Sequence, residues 1–141
     1  MKLSAIILTF SIFIFTVQAA AVSFDVTVVS ASKGGSGFDQ SLGPYKKQLA
    51  EMGYRSARVI SRPGFSVNLN QKRSFTVKGN VTAEIVPTSV SNGFINFDFK
   101  MIKGNKIIVR LSYRIPNGKH TIIVGPSERK RKYILIIRAS D

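Results

Sequence analysis

Carboxyl groups are the first side chains in this sequence to consider for chemistry, since two of them held close together can cleave a glycosidic bond. The chain has seven Asp and Glu residues among 141. Glu84 and Asp98 occupy polar positions of two neighbouring predicted strands, so pairing of these strands would bring their carboxyl groups together. A glycan hydrolase is therefore one function to consider. The competing interpretation is a charged, solvent-facing side of a sheet.

The sequence has few residues that could support other catalytic or metal-binding chemistry. The chain has no cysteine, which excludes thiolate nucleophiles, disulfides and cysteine-ligated zinc. His120 is the single histidine and follows a predicted turn, so we expect a surface or turn residue. A G-x-S-x-G nucleophile motif is absent from the sequence. The sequence thus predicts a non-enzymatic protein with no catalytic residues, no metal site and no cofactor.

A glycine-rich segment, Gly34-Gly35-Ser36-Gly37, lies between a predicted strand and a predicted helix, which is where phosphate-binding loops occur. The dinucleotide-binding pattern requires a third glycine where this chain has Gln40, and no Gly-Lys-Ser/Thr follows. We interpret the segment as a connector whose glycines permit unusual backbone angles.

Basic residues outnumber acidic ones by 21 to 7, a net charge of +14. Such a protein attracts polyanions, namely lipopolysaccharide, acidic glycan, nucleic acid or an anionic membrane surface. The densest charge run, Ser127–Lys132, lies in a predicted hairpin turn. The candidate anion-binding residues are Arg129, Lys130, Arg131 and Lys132, joined by Lys46 and Lys47 of the predicted helix. Nucleic acid has no support beyond charge, because tryptophan is absent and the other aromatic residues fall at positions expected to be buried.

Residues 1–20 have the features of a signal peptide. Lys2 provides a positive start, Ile6–Val17 are largely apolar, and small residues follow at Ala19–Ala21. We expect cleavage near Ala19–Ala21 and a location in the periplasm or outside the cell, with 20 basic residues against 7 acidic ones remaining. The alternative is an uncleaved membrane anchor, since Leu3–Val22 is about long enough to span a bilayer.

The pattern after the signal peptide begins with strand, helix, strand. Apolar residues alternate with polar ones from Val22, and a loop is predicted over Ala31–Phe38. A short helix with Pro44 in its first turn ends at Met52, and a second strand covers Arg55–Arg62. This is a βαβ opening.

Everything after Pro63 has the alternation of β-strands. Turns are predicted near Asn70 and Asn80, the latter within an N-glycosylation motif that matters only in a eukaryotic source. A hairpin is predicted at Pro116–Gly118. The last run, Tyr133–Ile137, is apolar on both faces and predicts a central strand. The fold class is α+β, mostly antiparallel β, as a sandwich or partly open barrel of 8–9 strands, in a single domain over residues 21–141.

Two stretches of the chain are similar to known proteins. The first runs from Val26–Ser32 through Gly34, Asp39, Leu42 and Tyr45 to Tyr54–Ile60, and the second covers Asn117–Gly118, Ile122–Pro126 and Ile134–Ile137. Together they resemble an uncharacterised group of small secreted or periplasmic bacterial proteins. Asn117-Gly118, followed by Ile122–Pro126 and Ile134–Ile137, resembles the hairpin near the end of secretin channel proteins, with Pro126 in place of a glycine. These resemblances imply a bacterial cell envelope setting, beside envelope machinery, and no known activity.

The sequence therefore favours a non-enzymatic, envelope-associated binding or accessory protein, with an envelope protein as its partner in a larger assembly. Strand edges and basic loops would supply the contacts. The alternative is a basic polyanion-binding module, and a glycan hydrolase that uses Glu84 and Asp98 is the third hypothesis.

Overall fold

The computed structural model describes residues 20–141. The predicted signal peptide lies outside the described residues except for Ala20, so its cleavage stays a prediction. Among residues 20–141, no helix is both long enough and apolar enough to cross a membrane.

Ten strands and one short helical segment make up this part of the chain. The strands are β1 Ala21–Ser32, β2 Gly37–Phe38, β3 Ser56–Ser61, β4 Gly64–Asn68, β5 Arg73–Lys78, β6 Val81–Ser91, β7 Phe94–Lys103, β8 Lys106–Pro116, β9 His120–Glu128 and β10 Arg131–Ser140. A 3₁₀ helix, Gln40–Tyr45, leads into the α-helix α1, Lys46–Glu51. The predicted α+β class with mostly antiparallel strands is confirmed.

The strands form two sheets and no closed barrel. The first sheet has the order β2-β3-β1-β10-β9, and β4 also pairs with β1. The second sheet has the order β5-β6-β7-β8. The prediction that Tyr133–Ile137 is central is confirmed, because β10 lies between β1 and β9 and these five residues are buried.

Two details of the predicted opening are wrong. The segment predicted as a loop contains the end of β1 and the two-residue strand β2, so the strand count is ten rather than eight or nine. The strand–helix–strand order is present, but β1 and β3 are antiparallel neighbours with Ser32 opposite Ser56. The chain returns beside the end of β1 that it has just left, which is a reversal and not the parallel crossover of a βαβ unit.

The predicted hairpin at Pro116–Gly118 is also wrong, since β8 belongs to the second sheet and β9 to the first. A turn does form, with the Lys119 amide donating to the Pro116 carbonyl over 3.0 Å. The neighbouring Gly118 amide donates to Ala139 of the first sheet, and the Asn117 amide donates to Gly93 beside the second. The turn therefore carries the chain from one sheet to the other, which turn-forming residues alone do not reveal.

Apolar side chains are buried on both faces of the first sheet. Between the two sheets, Phe24 of β1 meets Phe97 of β7 edge to face, with ring centroids 5.3 Å apart. On the other face, Leu42 and Leu49 of the helical segment pack over Ile134 and Ile136 of β10. The continuous apolar sequence of β10 follows from this arrangement, because its alternate residues enter different cores.

Candidate functional site

The two carboxylates considered for hydrolysis do lie on one surface, the outer face of the second sheet. Glu84 of β6 is directly opposite Lys100 of β7, and Asp98 is two residues before Lys100 on the same strand. Both side chains line a shallow depression of about 470 Å³. The structure thus places the two carboxylates on one face of the sheet, as the strand pattern predicts.

Both carboxylates already have partners on this face. Glu84 lies 3.6 Å from the Lys72 ammonium and 3.9 Å from the Lys100 ammonium. Asp98 accepts a hydrogen bond of 2.7 Å from the Ser112 hydroxyl of β8. These contacts are those of a charged sheet surface, in which cross-strand pairs of opposite charge or complementary polarity stabilise the sheet.

His120 lies directly after the predicted turn, at the start of a strand, and its side chain has two partners. It begins β9 and is half-buried, with Nε2 3.1 Å from the Gln48 amide oxygen of α1. Its ring meets that of Tyr45 edge to face at 4.8 Å. His120 thus joins the helical segment to β9. Within residues 20–141, no three His, Asp or Glu side chains are grouped to hold a metal ion.

The basic residues near the C-terminus form one wall of a cleft of about 490 Å³, called here the basic cleft. Lys130, Arg131 and Lys132 lie on this side. The other side is formed by Lys33, which the sequence analysis missed, and by Tyr54. The remaining lining residues are Ala31, Ser32, Gly34 and Ser127. The residues that line the cleft, all of them described, include four basic side chains and no acidic one.

Three of the six predicted anion-binding residues lie outside this lining. Arg129 occupies the tip of the β9–β10 turn, beside Lys130. Lys46 and Lys47 begin α1, and the Lys46 ammonium lies 5.8 Å from the centre of the Phe38 ring. The predicted set is therefore split, and Lys33 takes the place of the helix lysines. The sequence carries no signal that joins Lys33 to the other basic residues of the cleft, because it reaches them only through the pairing of β1 with β10.

Hydrogen bonds fix several of the groups in and around the basic cleft. The Gly34 amide donates to the Ser32 hydroxyl over 3.1 Å, and the Arg131 guanidinium donates to the buried Ser30 hydroxyl over 3.3 Å. The one acid of the hairpin, Glu128, accepts a hydrogen bond of 3.1 Å from the Tyr133 hydroxyl, and Tyr133 belongs to the core between the sheets. Burial raises the pKa of Tyr54, so its phenol remains a neutral hydrogen-bond donor at physiological pH.

A second candidate surface is the free edge of β8, called here the β8 edge. Among the strands of residues 20–141, β8 pairs only with β7 and ends the second sheet. Val109 and Tyr113 pack against the core, whereas Leu111 between them is 46% exposed. The inner face of β8 therefore presents one apolar side chain that the first sheet does not fully cover. Ile107, 42% exposed, lies beyond a bulge opposite Ile102 and so belongs to the outer face.

The outer face of β8 is basic. Arg110 is directly opposite Lys100, so two like charges are neighbours across the β7–β8 pair. Glu84 approaches Lys100 from the far side, which makes the charge order from β6 to β8 negative, positive, positive. Arg114 continues the basic face, with its guanidinium 4.2 Å from the centre of the Phe94 ring. A strand that paired with β8 would thus be favoured if it carried an acidic residue opposite Arg110, since like charges directly opposite one another destabilise a sheet.

Comparisons with known proteins give little that bears on function. No protein-family model matches the chain, and no curated protein matches it. Among solved structures, ExeD of Aeromonas hydrophila is 11% identical with a TM-score of 0.47, covering 88% of this chain and 49% of that one. The T2SS secretin XcpQ of Pseudomonas aeruginosa is 12% identical with a TM-score of 0.37, covering 86% of this chain and 57% of that one.

The chain spans about half the length of these two structures. Similarity at this level does not identify a function, so the geometry of the chain's own surfaces has to support one.

Proposed function

We propose that this protein is a non-enzymatic, envelope-associated binding protein, and that it pairs an extended segment of a protein partner with the β8 edge. The observation that carries the proposal is the side of β8 that no other strand of residues 20–141 pairs with, where apolar side chains alternate with Arg110, Ser112 and Arg114 from Val109 to Ile115. Strand addition at a sheet edge gains affinity from backbone hydrogen bonds and specificity from alternate side chains. The envelope location rests on the predicted signal peptide.

The side chains of β8 define the chemistry of the partner. The inner face, with Leu111 exposed between two core residues, fits apolar side chains at every second position. The outer face, with Arg110 beside Lys100 and with Arg114 further along, fits acidic side chains at the positions between. The expected partner segment is therefore an extended strand in which acidic and apolar residues alternate.

A second copy of this chain fits the β8 edge less well. Lys106, Arg110 and Arg114 would be brought close to the same three residues of the other copy. Free edge strands often carry such charges, which oppose pairing with another copy. Dimerisation through β8 is therefore an outcome that would contradict the proposed partner.

The experiment compares two short synthetic peptides, one alternating Glu with Val and one alternating Lys with Val, in a binding titration against the folded protein. We expect the Glu peptide to bind and the Lys peptide to bind at least about tenfold more weakly, since each charge-assisted contact is worth roughly that factor. Arg110→Glu should reverse the preference, because it exchanges the sign of the charge beside Lys100. Lys46→Glu on α1 makes the same change of net charge away from β8 and serves as the matched control.

An equal loss of Glu-peptide binding in Arg110→Glu and Lys46→Glu would show attraction by net charge alone and would contradict pairing at β8. A dimer that sedimentation detects and Arg110→Glu abolishes would show that the β8 edge pairs with a second copy of this chain and not with a partner protein.

A further inference from the structure

The basic cleft is a separate surface from the β8 edge, and its charge is more concentrated than that of the chain as a whole. Four of the nine residues that line it, Lys33, Lys130, Arg131 and Lys132, are basic. They come from two distant parts of the sequence, the loop after β1 and the β9–β10 turn. The Arg131 guanidinium is engaged by the Ser30 hydroxyl, so Lys33, Lys130 and Lys132 are the cations left to a ligand of the cleft. Repulsion among these three ammonium groups is unfavourable unless an anion compensates it.

The fold holds these cations in place. Lys132 is directly opposite Ala31 in the β1–β10 pair, so the two residues lie on the same face of the first sheet. On the loop side, a side-chain Cβ placed at Gly53 would lie 3.9 Å from Lys33 Cε, so the Lys33 side chain runs past the end of the helical segment. Lys33 and Lys132 are thus presented from the two walls of the cleft.

The β9–β10 turn, at the rim of the basic cleft, has an unfavourable backbone geometry that its residue types do not explain. Arg129 and Lys130 have φ angles of +49° and +66°, a region that L-residues other than Asn and Asp seldom occupy. Two-residue hairpin loops of this geometry favour Asn-Gly. Strain of this kind persists where another requirement outweighs it. A requirement for positive charge at the rim is consistent with the Arg-Lys pair found here.

We propose that the basic cleft binds a phosphate group carried by a sugar or lipid headgroup. A phosphate carries up to two negative charges, which suits a group of three lysines better than a single carboxylate does, and lysine binds phosphate as a point charge. Tyr54, 8% exposed at the wall, adds a neutral hydroxyl donor. Its ring is too covered to stack on a base, so nucleic acid is disfavoured.

The test is a titration of the folded protein with inorganic pyrophosphate, followed by vesicles that contain lipopolysaccharide and by neutral phosphatidylcholine vesicles. We expect pyrophosphate to bind and the affinity to fall as salt is raised. Lys33→Ala combined with Lys132→Ala should weaken binding about tenfold or more. The matched control is Lys46→Ala with Lys47→Ala, which removes the same charge outside the cleft lining.

Retention of binding by the control and its loss in the cleft variant supports the site. Stronger binding to lipopolysaccharide vesicles than to pyrophosphate then assigns the phosphate to a lipid headgroup, and the converse assigns it to a soluble sugar phosphate. Equal loss in both double variants, or no binding of any phosphate probe, overturns the proposal. Single-stranded DNA that binds more tightly than every phosphate probe, through the same lysines, overturns it in favour of nucleic acid.

Discussion

Gly125 shows at the residue scale how closely the two sheets approach one another. Gly125 and Pro126 of β9 together lie opposite Tyr133 of β10, which forms a bulge in the pairing. A Cβ atom at Gly125 would lie 3.0 Å from the Tyr133 carbonyl oxygen and 3.2 Å from the Met101 side chain of the second sheet. A larger residue at Gly125 would therefore require the Tyr133 backbone and the Met101 side chain to shift by a few tenths of an ångström.

Gly125→Ala is expected to lower the free energy of unfolding by about 1–3 kcal/mol, because the added methyl group must displace backbone as well as Met101. Gly43→Ala is the matched control, since a Cβ atom there has no neighbour within 4 Å among the described residues. Urea denaturation of both variants measures the difference. A similar effect at the two positions would contradict the close packing at Gly125.

Asp39 gives the fold a pH-dependent contact. Its carboxylate accepts hydrogen bonds from the Ser41 hydroxyl over 2.7 Å and from the Ser41 amide over 3.0 Å, which caps the helical segment. The Ser41 side chain, and then the Ser41 amide, hold the pKa of Asp39 below its ordinary value of 3.8. The charged form is thus favoured in the folded state, so the capping stability is present above pH 3.8 and is lost as the pH falls through the lower, folded-state pKa.

Asp39→Ala is therefore expected to lower the melting temperature at neutral pH and to have a progressively smaller effect as the pH falls through the folded-state pKa of Asp39, because the carboxyl group then becomes protonated in both states. Thermal melting of the wild type and the variant across this pH range measures the difference. An equally large difference at every pH would show that the carboxylate charge does not contribute.

At the scale of elements, the β9–β10 turn combines strain with charge. Replacing Arg129 with Asn and Lys130 with Gly should raise the free energy of unfolding by about 1–2 kcal/mol, because these residues accept the positive φ angles that the turn imposes. The same variant should bind pyrophosphate more weakly, since Lys130 lines the basic cleft. Chemical denaturation measures the first effect, and a variant no more stable than the wild type would contradict the strain.

Alternation and turn residues predicted most strands of this fold, because apolar positions with a period of two are visible wherever one face of a strand is buried. The central position of β10 followed from its unbroken apolar run. Which strands pair could not be predicted in the same way. The Pro116–Gly118 turn has the residues of a hairpin and nevertheless joins two different sheets, and the pairing of β3 with β1 depends on the register of Ser56 with Ser32.

The residues of the candidate sites could likewise be predicted only in part. Lys130, Arg131 and Lys132 could be selected because they are consecutive in the sequence. Lys33 could not, since it reaches the basic cleft only through the folding of β1 against β10. The β8 edge was equally hidden, because the sequence of β8 gives no indication that only one of its sides pairs with another strand of residues 20–141.

At the scale of the whole molecule, the two proposed surfaces belong to different sheets. The β8 edge ends the second sheet, and the basic cleft lies at the Ser32 end of β1 in the first. From Ala21 to Ser32, β1 extends over roughly 36 Å at about 3.3 Å per residue. If the N-terminal segment were retained as an anchor, the basic cleft would thus lie at the end of β1 away from it. The two binding experiments can therefore fail independently.

Amide hydrogen exchange along β8 tests the central claim most directly, since alternate amides of an edge strand have no partner until another strand pairs with them. The measurement compares exchange in the folded protein with and without the peptide that alternates Glu with Val. Pairing at the β8 edge predicts slower exchange confined to residues 109–115 and no change in β5, the other edge of the second sheet. Protection that appears in β5 or β9 instead, or is absent from β8 at saturating peptide, would contradict this account.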